Sequence, residues 1–181
     1  SIAQGDITRV TFSADNSASF LDATAFEFTD NLPTGMAIAP TPGITNTCVG
    51  GTATGVSGSG SFAYSGGTIA AGTSCVLGVN VRAIADGPLL NTTTAPTSSL
   101  GTSLVASDTL TVTTAPAPTL VTSFSPTSVD QGDESLLTVT FTNTSLLDLT
   151  GGASTTTLPA NLVISSTATA PSTTCSGASL V

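Results

Sequence analysis

The sequence predicts an all-β fold of sandwich domains in tandem, and three observations predict it. Thr, Ser, Gly, Val and Ala recur in short runs between turn residues. At the same time 39% of the chain is apolar and its mean hydropathy is +0.39, unlike a disordered chain of low hydrophobicity and high charge density. Residues 6 to 15 alternate, with Thr8, Val10, Phe12 and Ala14 on one side and polar residues on the other, the period of a half-buried strand. Finally, the sequence begins to repeat itself after Ser128.

Taken in order, the strand at 6–15 is followed by candidates at 23–30, 35–40, 51–56, 60–65, 75–84, 88–94 and 103–114. Their Thr content suits half-exposed strands, because a β-branched side chain packs well on a pleated surface. Turn clusters at Asn31-Leu-Pro-Thr-Gly35 and Ser65-Gly-Gly67 are expected to separate neighbours. No helical period is found. The stretch Thr114-Ala-Pro-Ala-Pro118 reads as a linker that proline holds extended. Beyond it, Thr119 to Ser125 is expected to form the first strand of the next domain. Leu137, Val139 and Phe141 then take the places of the alternating residues of the first strand.

The repeat sets the domain plan. Gln4, Gly5, Asp6 and Asn16 recur as Gln131, Gly132, Asp133 and Asn143 at an offset of 127. After a one-residue slip, Leu21-Asp22 and Leu32-Pro33 recur as Leu147-Asp148 and Leu158-Pro159. The offset of 127 returns at Thr47-Cys48 against Thr174-Cys175, and at Gly50 against Gly177. Residues 1–114 therefore read as one sandwich of Ig size lacking its own first strand. Residues 115–118 are its linker, and 119–181 the N-terminal part of a second copy. The chain opens on Ser1 without an initiator Met or signal peptide, so the expectation is a mature product or an internal piece of a longer array.

Composition excludes several function classes. Arg9 and Arg82 are the only basic residues against eleven carboxylates, giving a net charge of −9. Phosphate backbones are bound by neutralising Lys and Arg, so no nucleic acid is expected as a partner, and an anionic membrane surface is disfavoured. No run reaches the roughly 20 apolar residues of a transmembrane helix. With no His and no Lys, a serine or cysteine nucleophile lacks a base and Lys-based isopeptide cross-links are impossible. The expectation is a non-enzymatic protein.

Cys48 and Cys75 fall within one repeat, and Cys175 is the counterpart of Cys48. A disulfide between Cys48 and Cys75 is one reading, closing a loop of about 28 residues worth about 3.5 kcal/mol in the chain-entropy model. Cys175 would then be unpaired because its partner lies beyond the end. A metal site is the other reading, but three Cys without His lack the usual zinc ligand set. The disulfide implies an oxidising, extracellular compartment.

Several segments carry a family resemblance: Phe124-Ser-Pro-Thr-Ser-Val-Asp-Gln-Gly132, Leu137-Thr-Val-Thr-Phe-Thr-Asn143, Phe28-Thr-Asp-Asn-Leu-Pro-Thr-Gly35, Asn46-Thr-Cys-Val-Gly-Gly51, Gly67-Thr-Ile-Ala-Ala-Gly-Thr-Ser-Cys75 and Asp108-Thr-Leu-Thr-Val112. Together, over essentially the whole chain, they resemble the prokaryotic conserved-repeat family of Ig-like surface domains. The resemblance implies tandem arrays in large secreted or cell-surface proteins and carries no catalytic or ligand site. One departure stands out: Thr155-Thr-Thr-Leu-Pro159 lacks both the Phe and the Asp of the matching Phe28–Pro33 stretch.

Gln4-Gly-Asp6 and Gln131-Gly-Asp133-Glu134 share one repeat position. Asp6, Asp133 and Glu134 are candidate calcium ligands, since calcium takes several carboxylate oxygens; the alternatives are a receptor tripeptide and a Gly-containing turn with solvated acids. No other cofactor is expected. Asp15, Asp22 and Asp30 offer a second acidic cluster, or else solvated loop-end acids. Leu32-Pro-Thr-Gly35 reads as a turn and not a sortase signal. The sequons Asn91-Thr-Thr and Asn143-Thr-Ser are candidate glycan sites. Thr119, Val121, Ser123 and Phe124 mark a candidate assembly strand, to be paired with a following sandwich by strand addition. The partners expected are copies of the chain itself or adjacent repeats. The expected role is the structural unit of an extracellular filament or stalk; the alternatives are an adhesin stalk and a surface-layer component.

Overall fold

The computed structural model describes residues 1–166 and 172–176. Gly177, the counterpart of Gly50, lies outside them. Every regular element among the described residues is a β-strand, as the composition predicts. The chain divides into two compact units: Ser1–Pro118 with Asn143–Asp148, and Thr119–Thr142 with the described residues from Leu149 onward.

The first unit contains two sheets. One joins β6 (Val49–Thr54), β7 (Ser61–Ile69), β3 (Ala23–Asn31), β9 (Gly87–Thr93), β12 (Ser107–Thr113) and β1 (Ile2–Ala3) in that spatial order. The small pair β10 (Thr97–Ser98) and β11 (Gly101–Thr102) joins β3 where Thr97 lies opposite Glu27. The other sheet is centred on β8 (Ser74–Ala83). It is flanked on one edge by β2 (Ile7–Asp15) and on the other by β4 (Met36–Ile38) and β5 (Thr45–Asn46). The β1–β12 pair is parallel, and the other pairs are antiparallel.

Period-2 patterning explains which faces meet. Along β2 the even-numbered residues from Thr8 to Ala14 are half-buried and the odd-numbered ones exposed, as the alternation predicts. On β8, Leu77, Val79, Val81 and Ala83 are fully buried. They share one core cluster with Phe26, Phe28, Phe62 and Tyr64 of the facing sheet. The Phe12 ring bridges the sheets, stacked on Phe62 at 5.2 Å and tilted against Phe28 at 5.0 Å. Each of these buried aromatics contributes roughly 1.5–3 kcal/mol of transfer free energy.

One expected turn is not a turn. Ser65-Gly66-Gly67 lies inside β7, at a bulge where the register passes from Phe28↔Tyr64 to Phe26↔Gly67. The reason is the Tyr64 ring: a Cβ on Gly67 would stand 2.0 Å from its hydroxyl, and one on Gly51 2.4 Å. Glycine here makes room for an aromatic lying across two strands. The hydroxyl, in turn, donates to the Gly50 carbonyl at 2.9 Å.

In the second unit β13 (Thr119–Ser125) pairs antiparallel with β14 (Leu136–Thr142), from Thr119↔Thr142 to Ser125↔Leu136. Leu137 and Val139 are half-buried. Residues 114–118 carry no regular structure.

Candidate functional site

The cysteine expectation is met: Cys48 and Cys75 form a disulfide with a Cα–Cα distance of 4.9 Å. Cys48 sits between β5, which pairs with β8, and β6, which belongs to the other sheet; Cys75 lies on β8. The bridge therefore fastens the chain where it crosses from one sheet to the other. Cys175 is an exposed free thiol.

The Gln-Gly-Asp segments are built turns. Gly5 has φ +97°, a conformation that costs an L-residue its Cβ clearance. The Asp6 N–H donates to the Ala3 carbonyl at 3.1 Å, and the Ala3 N–H donates back to Asp6 Oδ2 at 3.0 Å. The Gly5 N–H and the Asp6 carbonyl bond Ala83 at the end of β8, and the Gln4 N–H bonds Thr113 at the end of β12. The turn thus ties one end of both sheets. The second unit holds the same turn: Gly132 has φ +98° and the Asp133 N–H donates to the Asp130 carbonyl at 3.1 Å. Glu134 is hydrogen-bonded to the Ser165 hydroxyl. Among the described residues no group of three or more His, Cys, Asp or Glu is placed to hold a metal ion.

Asp15, Asp22 and Asp30 do not form a shared cluster. Asp15 caps the Ser17 N–H at 2.9 Å, which holds its carboxyl below the usual range, and Asp22 accepts from the Ala71 N–H at 2.8 Å. Asp30 is no solvated loop-end acid: at 0% exposure it is wholly inside the core. Position decides this, because Phe26, Phe28 and Asp30 share one face of β3 and that face is the core face. Asp30 Oδ2 accepts from Asn91 Nδ2 of β9 at 2.8 Å, whereas Asp30 Oδ1 and Asn91 Oδ1 are buried without a hydrogen-bond partner. Burial pushes the Asp30 carboxyl above its ordinary value, with the Asn91 bond pulling the other way. The amide nitrogen of the Asn91 sequon is therefore committed to the core, and that of Asn143 donates to the Leu147 carbonyl at 2.7 Å.

The Asn143 bond belongs to a second recurring local structure. Asn16 Nδ2 donates to the Leu21 carbonyl at 2.9 Å, the Ser19 hydroxyl donates to the same carbonyl at 2.9 Å, and the Leu21 N–H returns to Ser19 Oγ at 3.0 Å. Asn143, Ser145 and Leu147 make the same three bonds at 2.7, 3.1 and 3.2 Å. The sequence match of Asn16 with Asn143 marks the first residue of this loop, and Ser19 matches Ser145 at the offset of 126, just past the one-residue slip. Asn91 stands in a sequon, and nothing in its local sequence marks it as the partner of Asp30.

Thr119, Val121, Ser123 and Phe124 stand on β13, exposed, with β14 as the strand's partner. In the second unit an open hollow lies over the Asp130–Glu134 turn. Among the described residues no helix is long and apolar enough to cross a membrane.

A family model described as a domain of unknown function (DUF7933) matches residues 1–112 and 118–181. The chain belongs to this family. No curated protein matches it. The disulfide, the Asp30–Asn91 pair and the Gly5 turn fall in the first stretch matched by the DUF7933 model. The Gly132 turn, the Asn143 loop and Cys175 fall in the second.

Proposed function

We propose that this chain is a structural repeat unit of an extracellular filament or cell-surface stalk, made of Ig-like β-sandwich copies joined head to tail and without enzymatic activity. The observation that carries the reading is the recurrence of two local structures at the spacing of the sequence repeat. The Gly5 and Gly132 turns share their φ angle and closing bond, and the Asn16 and Asn143 loops share three side-chain bonds. A hydrogen-bonded loop conserved in geometry within one chain is what duplicated domains retain. The two stretches of the family match and the two sheets around one core support the same reading. The Cys48–Cys75 disulfide fits an oxidising location outside the cell. The scarcity of titratable groups, with no His or Lys, fits a role in architecture and not in chemistry.

Electron microscopy of native cell-surface material, labelled with an antibody to this chain, tests the reading. Labelled filaments or stalks with an axial repeat are expected. Label confined to the base of a stalk with a distinct tip would favour the adhesin alternative, and a two-dimensional lattice would favour a surface layer.

A further inference from the structure

We propose that the first units of two copies of this chain bind face to face, the Arg9 guanidinium on the outer face of the β8-centred sheet of one copy holding the Glu27 carboxylate on the outer face of the other sheet of the second. The contact uses the broad faces of the sandwich and not its ends, so it is separate from head-to-tail joining.

The placement of charge points to it. Arg9 and Arg82 are the only basic residues against eleven carboxylates, and both lie on one outer face. Along β2 the even-numbered residues turn toward the core, so Arg9 points outward; on β8, Val81 and Ala83 are buried, so Arg82 does the same. The register sets Ile7 opposite Arg82 and Arg9 opposite Asn80. The two arginines are therefore diagonal neighbours, about 7–8 Å apart, and repel each other. Among the described residues neither is bonded to a carboxylate. Arg82 makes a long 3.5 Å bond to the Leu146 carbonyl. Arg9 bonds the Gly43 carbonyl at 3.0 Å, Asn80 Oδ1 at 3.1 Å and the Thr45 hydroxyl. A carboxylate from another molecule compensates what these neutral acceptors do not.

Arg9 is pre-set to receive one. Its guanidinium lies across β8 over Gly78, where a Cβ would collide with Nη2, Nε and Cζ. The three bonds use both N–H groups of Nη1 and one of Nη2. The Nε–H and the second Nη2–H are left, donors of the fork that takes a carboxylate bidentately. A guanidinium already fixed loses little side-chain freedom on docking.

Glu27 is the matching acid. Phe26 and Phe28 turn into the core, so Glu27 faces out of β3. It lies in a shallow hollow shared with Thr29, Ser65, Thr94 and Thr97 and with no other charged residue. Its Oε1 accepts from the Thr97 hydroxyl at 3.3 Å. Arg9 reaches over β8 toward β5, and Glu27 lies between β7 and the Thr94–Thr97 stretch, so strands of the first unit frame each group on both sides. A basic and an acidic face on opposite sides of one core make the contact heterologous, and it repeats from copy to copy.

Sedimentation velocity of the full chain over a concentration series tests this. Glu27→Arg and Arg9→Glu are each expected to weaken self-association at least about tenfold, the lower end of the coupling between close charge pairs across interfaces. Glu27→Arg makes the chain less negative, so general repulsion would move its association the other way. An equal mixture of the two variants, in which each basic face again meets an acidic one, should restore association to the wild-type level. Circular dichroism and an intact Cys48–Cys75 bridge check the fold of each variant. If Arg9→Glu disturbs it, an excess of Glu27→Arg chains is expected to break up wild-type assemblies, because each caps a Glu27 face with its own Arg9. A wild type still monomeric at about 1 mM, a Glu27→Arg chain that associates like the wild type, or a mixture no better than its components overturns the proposal.

Discussion

Replacing Asp30 with Asn should stabilise the protein at neutral and alkaline pH, although Asp30 is wholly buried and hydrogen-bonded. The pair with Asn91 uses one oxygen of each side chain's polar set badly: Asp30 Oδ2 accepts from Asn91 Nδ2 at 2.8 Å, while Asp30 Oδ1 and Asn91 Oδ1 have no partner. Asn at position 30 replaces the unpartnered, buried carboxylate oxygen by an amide –NH₂, a donor for which Asn91 Oδ1 is a free acceptor, and removes the buried charge. A buried polar atom left without a partner costs about 1–3 kcal/mol, so Asp30→Asn is expected to gain about that much at about pH 8. Asp30→Ala, which orphans Asn91 Nδ2 as well, should lose a similar amount or more. The pH dependence follows from the direction of the carboxyl's shift. Burial raises its proton affinity in the folded state above the ordinary value of 3.8. Its contribution to stability is therefore complete below 3.8 and is lost as the pH rises through the folded-state value. The advantage of Asp30→Asn should accordingly shrink as the pH falls and vanish once the wild-type carboxyl is protonated. Urea denaturation of both proteins from about pH 3 to pH 9 measures the difference directly, and the self-repulsion of the other acids cancels in the comparison. A stability gap that does not narrow in acid, or an Asn variant weaker than wild type at about pH 8, would refute the reasoning.

Reduction of Cys48–Cys75, or the double substitution to Ser, should cost about 3.5 kcal/mol, read as a lower urea midpoint with an otherwise β-rich spectrum. Gly67→Ala places a methyl group 2.0 Å from the Tyr64 hydroxyl and 2.5 Å from its ring carbons, so thermal denaturation should show a loss of about 1–3 kcal/mol. Tyr64→Phe alone should lose only the bond to Gly50, about 1 kcal/mol. A neutral Gly67→Ala would refute the Tyr64 ring as the reason for glycine at this position.

Much of the fold was legible because its signals are local. Alternation at Thr8, Val10, Phe12 and Ala14 identified β2 and its buried face, since strand geometry alone sends every second side chain the same way. Thr, Val and turn residues placed β3, β8 and β9 to within one residue at each end, whereas β7 runs past its expected end at 65 to Ile69 and β12 begins at Ser107, after its expected start at 103. The two-residue strands β1, β5, β10 and β11 are too short to show a period. They exist because a neighbouring strand offers them a ladder, which is a property of the assembled sheet.

The sequence by itself determined the all-β class, the internal repeat and the place of Cys48 and Cys75 within one period. Each of these depends on residue type and spacing along the chain. Only the tertiary structure decided that Ser65-Gly-Gly67 is a bulge under Tyr64 and that Asp30 is a core residue bound to Asn91. These depend on what lies across the sheet, 61 residues away for Asp30 and Asn91. An acid on the core face of a strand reads the same in sequence as one on a loop, because its desolvation is imposed by Phe26, Phe28, Phe62 and Tyr64 gathering around one core.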